Sequence, residues 1–370
     1  MKTKVTVQVK NSFPEFMLIG EEWNRLLHKC ESNEAYLTYE WFQSWWKCFG
    51  DKKEMLLLLF RKGDDLVGIV PLIKQNIKYR NFIKVRKISF WDNEVTPRVD
   101  IIAAKDNKFE VIDALIKHIY ENQPDWDICS FGKIIAESET RNKMLQVLDN
   151  TKIAFFEKNS LRTPYILLHN NWENYFKDRP KKFRKAMRNN INRINKFGEI
   201  CIEKHHEIDA LERVLPEIFN VSQRSWKHDQ NSSILDTQQG PFYEYLTKTA
   251  GAKGWIDIWI LRHKGKAIAF EYHVIYENKS YALRGDFDKN FGSISPGLYL
   301  EYNIIKRYYD DGEIKIYDFC GDAHHYKLNW TNNIILHKNI SIFNKNSRGI
   351  LLKLIECKVI PLYKKLFRRY

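Results

Sequence analysis

The chain has 370 residues, enough for two cores instead of one, since a single domain usually holds about 100–200 residues. Hydrophobic residues make up 44% and aromatic residues 14%, which excludes a disordered chain. The formal net charge of +14 admits an anionic partner such as a nucleotide, a nucleic acid or a membrane surface, and a sequence rich in Lys, Asn and Ile throughout reaches that charge by composition alone.

The six cysteines, Cys30, Cys48, Cys129, Cys201, Cys320 and Cys357, stand apart and form no C-x-x-C pair, as suits a reducing compartment. The opening MKTKVTVQVKNSFPEF has no apolar core of signal-peptide length, and no stretch approaches the roughly 18 apolar residues of a membrane span. The expected location is cytoplasmic.

In chain order, an aromatic helical segment from Tyr39 to Phe49 leads into an apolar run, Glu54 to Phe60. The turn Lys62-Gly63-Asp64-Asp65 and a second run, Leu66 to Ile73, complete a β-hairpin pattern. A helical pattern from Phe109 to Tyr120 and a short strand, Trp126 to Gly132, follow. Leu161 to Leu168 reads as a strand, and Trp172 to Phe197 as a basic helix.

About 200 residues after the first hairpin the same pattern returns. A helical segment, Pro241 to Thr249, precedes a hairpin made by Trp255 to Leu261 and Ala267 to Ile275; a strand around Tyr281 to Leu283, a helix from Leu298 to Tyr309 and a strand ending at Gly321 follow. Helix, hairpin, strand, helix, strand thus occurs twice, a diverged repeat. The spacing predicts domains over residues 1–163 and 164–345, then a basic C-terminal helix over 346–370, with Pro361 kinking it and LYKKLFRRY as its tail.

The most informative stretch is Tyr281 to Trp330. A strand passes through Phe291-Gly292-Ser293-Ile294-Ser295-Pro296-Gly297 into a helix, where Ser295 can cap, Pro296 suits the first turn and Gly297 lets a ligand approach the backbone. Helix N-termini entered this way suit a phosphate or pyrophosphate. Ser293, Ser295 and Gly297 are the candidate donor-binding residues, with Lys327 as a contact to an anionic ligand; an ordinary helix start explains the same S-P-G.

Asp318 ends a strand where open α/β sheets often present a ligand crevice, and Asp286 ends the preceding strand with Arg284 on the same face. Asp286, Asp318 and Tyr326 are the candidate catalytic residues, with Arg284 and Trp330 as substrate contacts; an Arg–Asp ion pair and a capped loop are the structural alternatives. The pairs His205-His206 and His324-His325 lack matching ligand spacing, so no metal is expected, and Cys320 has no assignable partner His to make it a nucleophile. The basic run Lys177 to Lys196 distributes its charge around a helix without an aromatic platform, which argues against a nucleic-acid partner.

Taken together, EWFQSWW with the hairpin GIVPL, the helix KKFRKAMRNNINRINKFG, SPGLYLEY, and YDFCGD with YKLNW make the sequence resemble the BioF-like and CelD-like acetyltransferase branch of the GNAT superfamily, itself similar to the FemAB peptidyltransferases. The resemblance covers nearly the whole chain. It implies an α/β (α+β) fold of tandem GNAT-like domains, each a mixed, mostly antiparallel sheet flanked by helices. It also implies acetyl-CoA or another acyl-CoA as donor to the second domain, with an amine or hydroxyl acceptor on a sugar or envelope or exopolysaccharide precursor. The loop FGSISPG departs from the usual GNAT signature Gln/Arg-x-x-Gly-x-Gly/Ala.

Transfer in a ternary complex then needs a carboxylate, Asp286 or Asp318, to take the acceptor proton, and Tyr326 to protonate the thiolate. Two other readings stand beside this one. FemAB-like transfer from aminoacyl-tRNA would use the basic helix, although it lacks the long helical hairpin of those proteins. A non-catalytic adaptor in polysaccharide biosynthesis would dock on a membrane through the C-terminal helix, whose apolar face is expected instead to pack on the second domain.

Overall fold

The computed structural model describes residues 4–123 and 125–367, so Arg368, Arg369 and Tyr370 of the expected basic tail lie outside the described residues. The chain forms two units. Unit 1 comprises the described parts of Met1–Trp46, Gly50–Leu161 and Leu336–Tyr370, and unit 2 comprises Lys47–Phe49 and Arg162–Ile335.

Unit 1 begins with β1 (Thr6–Lys10), α1 (Phe13–Met17), α2 (Gly20–Leu27) and α3 (Tyr39–Phe49). The hairpin β2 (Glu54–Lys62) and β3 (Asp65–Tyr79), β4 (Ile83–Phe90) and the short β5 (Ile102–Ala103) follow. Gly63 at φ 64° supplies the left-handed residue of the hairpin turn. Met55 to Phe60 are buried without alternation, as a strand covered on both faces requires. The helix α4 (Lys108–Asn122) crosses to β6 (Ile128–Ile135), which lies parallel to β4 with Ile88 opposite Cys129, and α5 (Glu139–Asn150) leads to β7 (Phe155–Leu167).

After unit 2 the chain returns in β13 (Ile334–Phe343), antiparallel to β6, and ends in α12 (Ser347–Leu354), a π-helical turn (Ile355–Val359) and α13 (Ile360–Phe367). The strand order in unit 1 is β1-β2-β3-β4-β6-β13, with β5 on β3. The C-terminal helical segment, expected to pack on the second domain, belongs to unit 1. Leu352 is buried against Val85, Ile128 and Phe343 of unit 1, because β13 delivers the chain to the end of β6 at the Phe343–Ile128 pair. Pro361 sits in the first turn of α13, and the irregularity falls one turn earlier, where the π-helical turn makes room for a ring that lacks an N–H and crowds the preceding carbonyls.

Unit 2 starts with residues 162–167 of β7. The expected single basic helix is two, α6 (Trp172–Lys177) and α7 (Lys181–Phe197), since Pro180 cannot continue the first. Then come β8 (Ile200–His205), α8 (Ile208–Gln223), α9 (Gln239–Gly251), β9 (Ile256–His263), β10 (Lys266–Tyr276), β11 (Lys279–Phe287), α10 (Pro296–Asp311), β12 (Ile316–Asp318) and α11 (His325–Leu328). The strand order is β7-β12-β11-β10-β9-β8, antiparallel except for β11 and β12.

Two helical layers cover this sheet. On one face, α7 and α10 pack Phe183, Met187, Ile194, Leu300 and Ile304 against Trp259, Leu261 and Ile268. On the other face, Tyr243 of α9 meets Tyr272 edge to face, and Thr247 shares a hydrogen bond with the Tyr272 hydroxyl at 2.9 Å. The sequence repeat is structural: α3-β2-β3-β4-α4-β6 in unit 1 has the element order and the parallel closing pair of α9-β9-β10-β11-α10-β12 in unit 2.

Candidate active site

β11 and β12 are paired only from Lys279–Ile316 to Tyr281–Asp318. Beyond that point β11 continues to Phe287 along β10, while the chain after Asp318 turns through Cys320 and Gly321 at φ 47° and 62°, so the two strands part. The turn is fixed from within. Asp318 Oδ1 accepts from the Cys320 backbone N–H at 2.9 Å, and Lys327 Nζ donates to the carbonyls of Phe319 and Cys320 at 3.1 and 2.5 Å. Burial pulls the Lys327 pKa below the usual lysine range, against the nearby charges of Cys320 and Glu301.

Beside this parting lies a buried carboxyl pair that the sequence reading did not single out. Alternation along β10 turns Glu271 and His273 toward α10, which contributes Glu301 and Tyr308. Glu271 Oε2 accepts from the Tyr317 hydroxyl at 3.2 Å and lies 2.7 Å from His273 Nε2. Glu301 Oε2 accepts from Trp330 Nε1 at 2.7 Å, and His273 Nδ1 lies 2.8 Å from Ser280 Oγ.

Burial pushes both carboxyls up to about 8, and for Glu301 the charge of Glu271 adds to it. Burial also pushes His273 down to about 3, so its ring is neutral at physiological pH. A carboxyl that titrates near neutrality suits both giving and taking a proton. The available signal was a lone acid in an apolar strand, AFEYHV, and another on the inward face of the SPGLYLEY helix.

Arg284 and Asp286 share a face, as expected, but it is the opposite one. Asp286 Oδ2 accepts from Arg284 Nε at 2.9 Å and Ser222 Oγ at 2.7 Å, and Oδ1 is ion-paired with Lys227. Arg284 also donates to Ser232 O at 2.9 Å, so the cluster ties the α8–α9 loop to the sheet. Burial lowers the Lys227 pKa while Asp286 opposes that shift.

Asp318 is not beside Asp286. Its register partner is Tyr281, and Asp286 lies five residues further along β11, about 17 Å at strand rise. Tyr326 is the expected residue whose phenol feels the charge of both sets of acids. It is 53% exposed, and its phenol is pushed up by desolvation and then by Glu301, Glu271 and Asp286. Trp330 is fully buried, edge to face with Phe183, and supports Glu301 from within.

The loop before α10 is a 3₁₀ turn, Lys289–Ile294, whose carbonyls α7 holds: Arg193 Nη1 donates to Ser293 O at 2.8 Å, and Asn190 Nδ2 donates to Ile294 O. Ser295 does not cap α10 with its side chain, because its left-handed φ of 47° departs from the extended backbone that aims a cap hydroxyl at the first turn. Pro296 occupies the first turn as expected. A Cβ on Gly297 would stand 3.3 Å from the Phe287 ring and meet nothing else within 4 Å. Ser293 is exposed, and Ser295 and Gly297 are half-buried, at the positive end of the α10 dipole.

Comparison with known proteins bears on this unit. Residues 181–328 match Acetyltransf_6, an acetyltransferase (GNAT) domain, a span from the start of α7 to the end of α11. No curated protein matches the chain. Among solved structures, a conserved Bacteroides thetaiotaomicron protein of unknown function is similar at 13% identity and TM-score 0.59, over 92% of this chain and 100% of that one. FemX is similar at 12% and 0.57, over 91% and 98%. The C-terminal domain of a protein assigned as a lysylphosphatidylglycerol synthetase from Agrobacterium fabrum is similar at 11% and 0.58, over 93% and 97%. The chain therefore carries a GNAT-type acyltransferase fold. The narrower BioF-like and CelD-like likeness rests on the sequence motifs.

Proposed function

We propose that unit 2 transfers an acetyl or other acyl group from acyl-CoA directly to an amine or hydroxyl acceptor, the acceptor being a sugar or an envelope or exopolysaccharide precursor. The observation that carries the reading is the neutral-range carboxyl pair Glu271 and Glu301 at the parting of β11 and β12. Gly297 and the α10 N-terminus suit the donor's pyrophosphate, with Ser293 and Ser295 forming the adjoining loop.

The thioester supplies an activated carbonyl; the chain's own residues do the rest. As the acceptor attacks, the C–S bond breaks, the acceptor proton passes to the ionised member of the carboxyl pair, and Tyr326 gives its proton to the departing thiolate. Lys327 holds the turn that shapes the crevice, so its contribution to an anionic donor is through position. Asp286 and Arg284 set the α8–α9 loop on the acceptor side. Titration with acetyl-CoA, followed by turnover with amine and sugar acceptors, tests the reading.

A second donor, aminoacyl-tRNA, is supported by the fold shared with FemX and by the basic residues of α7 around Arg193. Steep loss of tRNA binding with salt would favour it over acyl-CoA.

Membrane contact is a separate reading, favoured by the C-terminal helices. Ile350, Leu351, Leu354, Val359, Leu362 and Leu366 are each 47% exposed or more, among Arg348, Lys353, Lys358 and Lys365. An apolar stripe flanked by cations suits the surface of an anionic bilayer. No helix among the described residues is long and apolar enough to cross a membrane. The reading is a cytoplasmic protein that touches the membrane peripherally, tested by sedimentation with anionic vesicles.

A further inference from the structure

Unit 1 contains a cavity of about 230 Å³, and every residue lining it belongs to that unit. It sits on one face of the sheet formed by β3, β4, β6, β13 and β7. The same face is apolar at one end, where Val85, Ile128 and Phe343 are covered by Leu352. Two residues along each strand the side chains become polar: Lys87 follows Val85 on β4, Ser130 follows Ile128 on β6, and Ser341 precedes Phe343 on β13. Ser130 and Ser341 are register partners, with hydroxyls 3.3 Å apart. The patch is open in part to solvent, with Lys87, Ser130 and Ser341 half-buried, so a polar ligand can reach it.

The backbone is shaped around the cavity. The β6–β13 ladder is irregular between Lys338 and Ile340, opposite Gly132 and Lys133, and Lys133 adopts a left-handed φ of 58°. Asn339 Oδ1 fixes this bulge by accepting from the Lys133 N–H at 2.8 Å. Gly132 has a negative φ, so its backbone does not require glycine, and a Cβ there would meet Asn339 Oδ1 and Asp92 Oδ2 only at 3.6 Å, toward the cavity. From the other side the π-helical turn brings in Glu356, which is 6% exposed. Bulges of both kinds concentrate where a side chain has to be re-aimed.

The charges favour an anion. Lys133 lies 3.4 Å from Asp92, and Arg80 lies 3.7 Å from Glu356, so both acids of the lining have a cation partner. Lys87 and Lys158 add further positive charge to the lining. Three hydroxyls, from Ser130, Ser160 and Ser341, and the Asn339 amide offer hydrogen bonds, while Ile77 and Tyr79 present an apolar wall. The volume is below the roughly 300–1,000 Å³ of pockets for drug-sized ligands. We propose that this cavity of unit 1 is a binding site for a monosaccharide phosphate, its phosphate at Lys87 and its hydroxyls on the serines and Asn339.

The test is calorimetric titration of the full chain at low salt with glucose 6-phosphate, glucose 1-phosphate and N-acetylglucosamine 1-phosphate, alongside inorganic phosphate and glucose. Saturable binding of at least one sugar phosphate is expected, at least tenfold tighter than phosphate or glucose. Lys87→Glu and the milder Lys87→Met should weaken it by tenfold or more, and Gly132→Leu should abolish it, with circular dichroism and melting unchanged for the lysine variants. Failure of all three sugar phosphates, equal binding of inorganic phosphate, or affinity unmoved by both Lys87 variants would overturn the proposal.

Discussion

Trp330 Nε1 donates to Glu301 Oε2 at 2.7 Å inside unit 2, joining the segment after α11 to the middle of α10. The bond favours the ionised form of Glu301 against the burial that opposes it. Trp330→Phe keeps the aromatic contact with Phe183 and removes the donor. The pKa of Glu301 should then rise above about 8, moving the corresponding limb of the pH–rate profile to higher pH with little change in fold. A profile that stays in place would show that Glu301 takes no part in turnover.

The same carboxyls set a stability trend. Their folded pKa values of about 8 exceed the reference 4.5, so their contribution is complete below pH 4.5 and is lost as pH rises through 8. His273 runs the other way: pushed from 6.5 to about 3, it stabilises above pH 6.5 and loses that contribution as pH falls toward 3. Glu301→Gln should therefore melt higher than the parent at pH 8, by about 2–4 °C for each kcal/mol gained. At pH 4.5 the two should agree, and thermal melts at the two pH values check the crossover.

Asp286 is expected to matter for stability more than for chemistry. Asp286→Asn leaves the half-buried Lys227 beside a neutral amide, at a cost of about 1–3 kcal/mol, and Lys227→Met in the same chain should restore most of it. Denaturant unfolding of the single and double variants measures this. At a temperature where all remain folded, Glu301→Gln should lower kcat/KM about 10²–10⁴-fold while Asp286→Asn and Asp318→Asn stay within about tenfold of the parent. The opposite ranking would return the acid–base role to the strand-end aspartates.

The hairpins and the repeat were legible because Glu54 to Phe60 and Trp255 to Leu261 are short, largely apolar runs ended by Gly-containing turns, whereas the parallel pairing of the closing strands left no such mark. The site was legible only in outline. Asp286 and Arg284 were expected on one face and are, but which face depends on the bulge at Tyr272/His273, which sequence periodicity does not reveal. Glu271 and Glu301 stand 30 residues apart with no spacing code between them, and only packing of α10 on β10 brings them together. Ser295 looked like a cap because a serine precedes Pro296, whereas the preceding 3₁₀ turn sets its backbone left-handed.

Leu351 and Leu354 are exposed, so Leu351→Glu with Leu354→Glu should leave the melting temperature within about 1–2 °C of the parent. The double variant should nevertheless lose sedimentation with vesicles rich in anionic lipid, where the parent sediments and high salt weakens binding. Parent protein that stays in the supernatant with anionic vesicles would dismiss membrane contact through this segment.

Calorimetric titration of acetyl-CoA and free CoA into the full chain tests the central claim, with Gly297→Glu placed at the α10 N-terminus and Gly297→Ala as the folded control whose methyl meets only the Phe287 ring. The account predicts saturable binding of both ligands, kept by the alanine variant and lost in the glutamate variant. No binding of either ligand to the folded parent, or equal binding to the glutamate variant, would contradict an acyl-CoA site in unit 2.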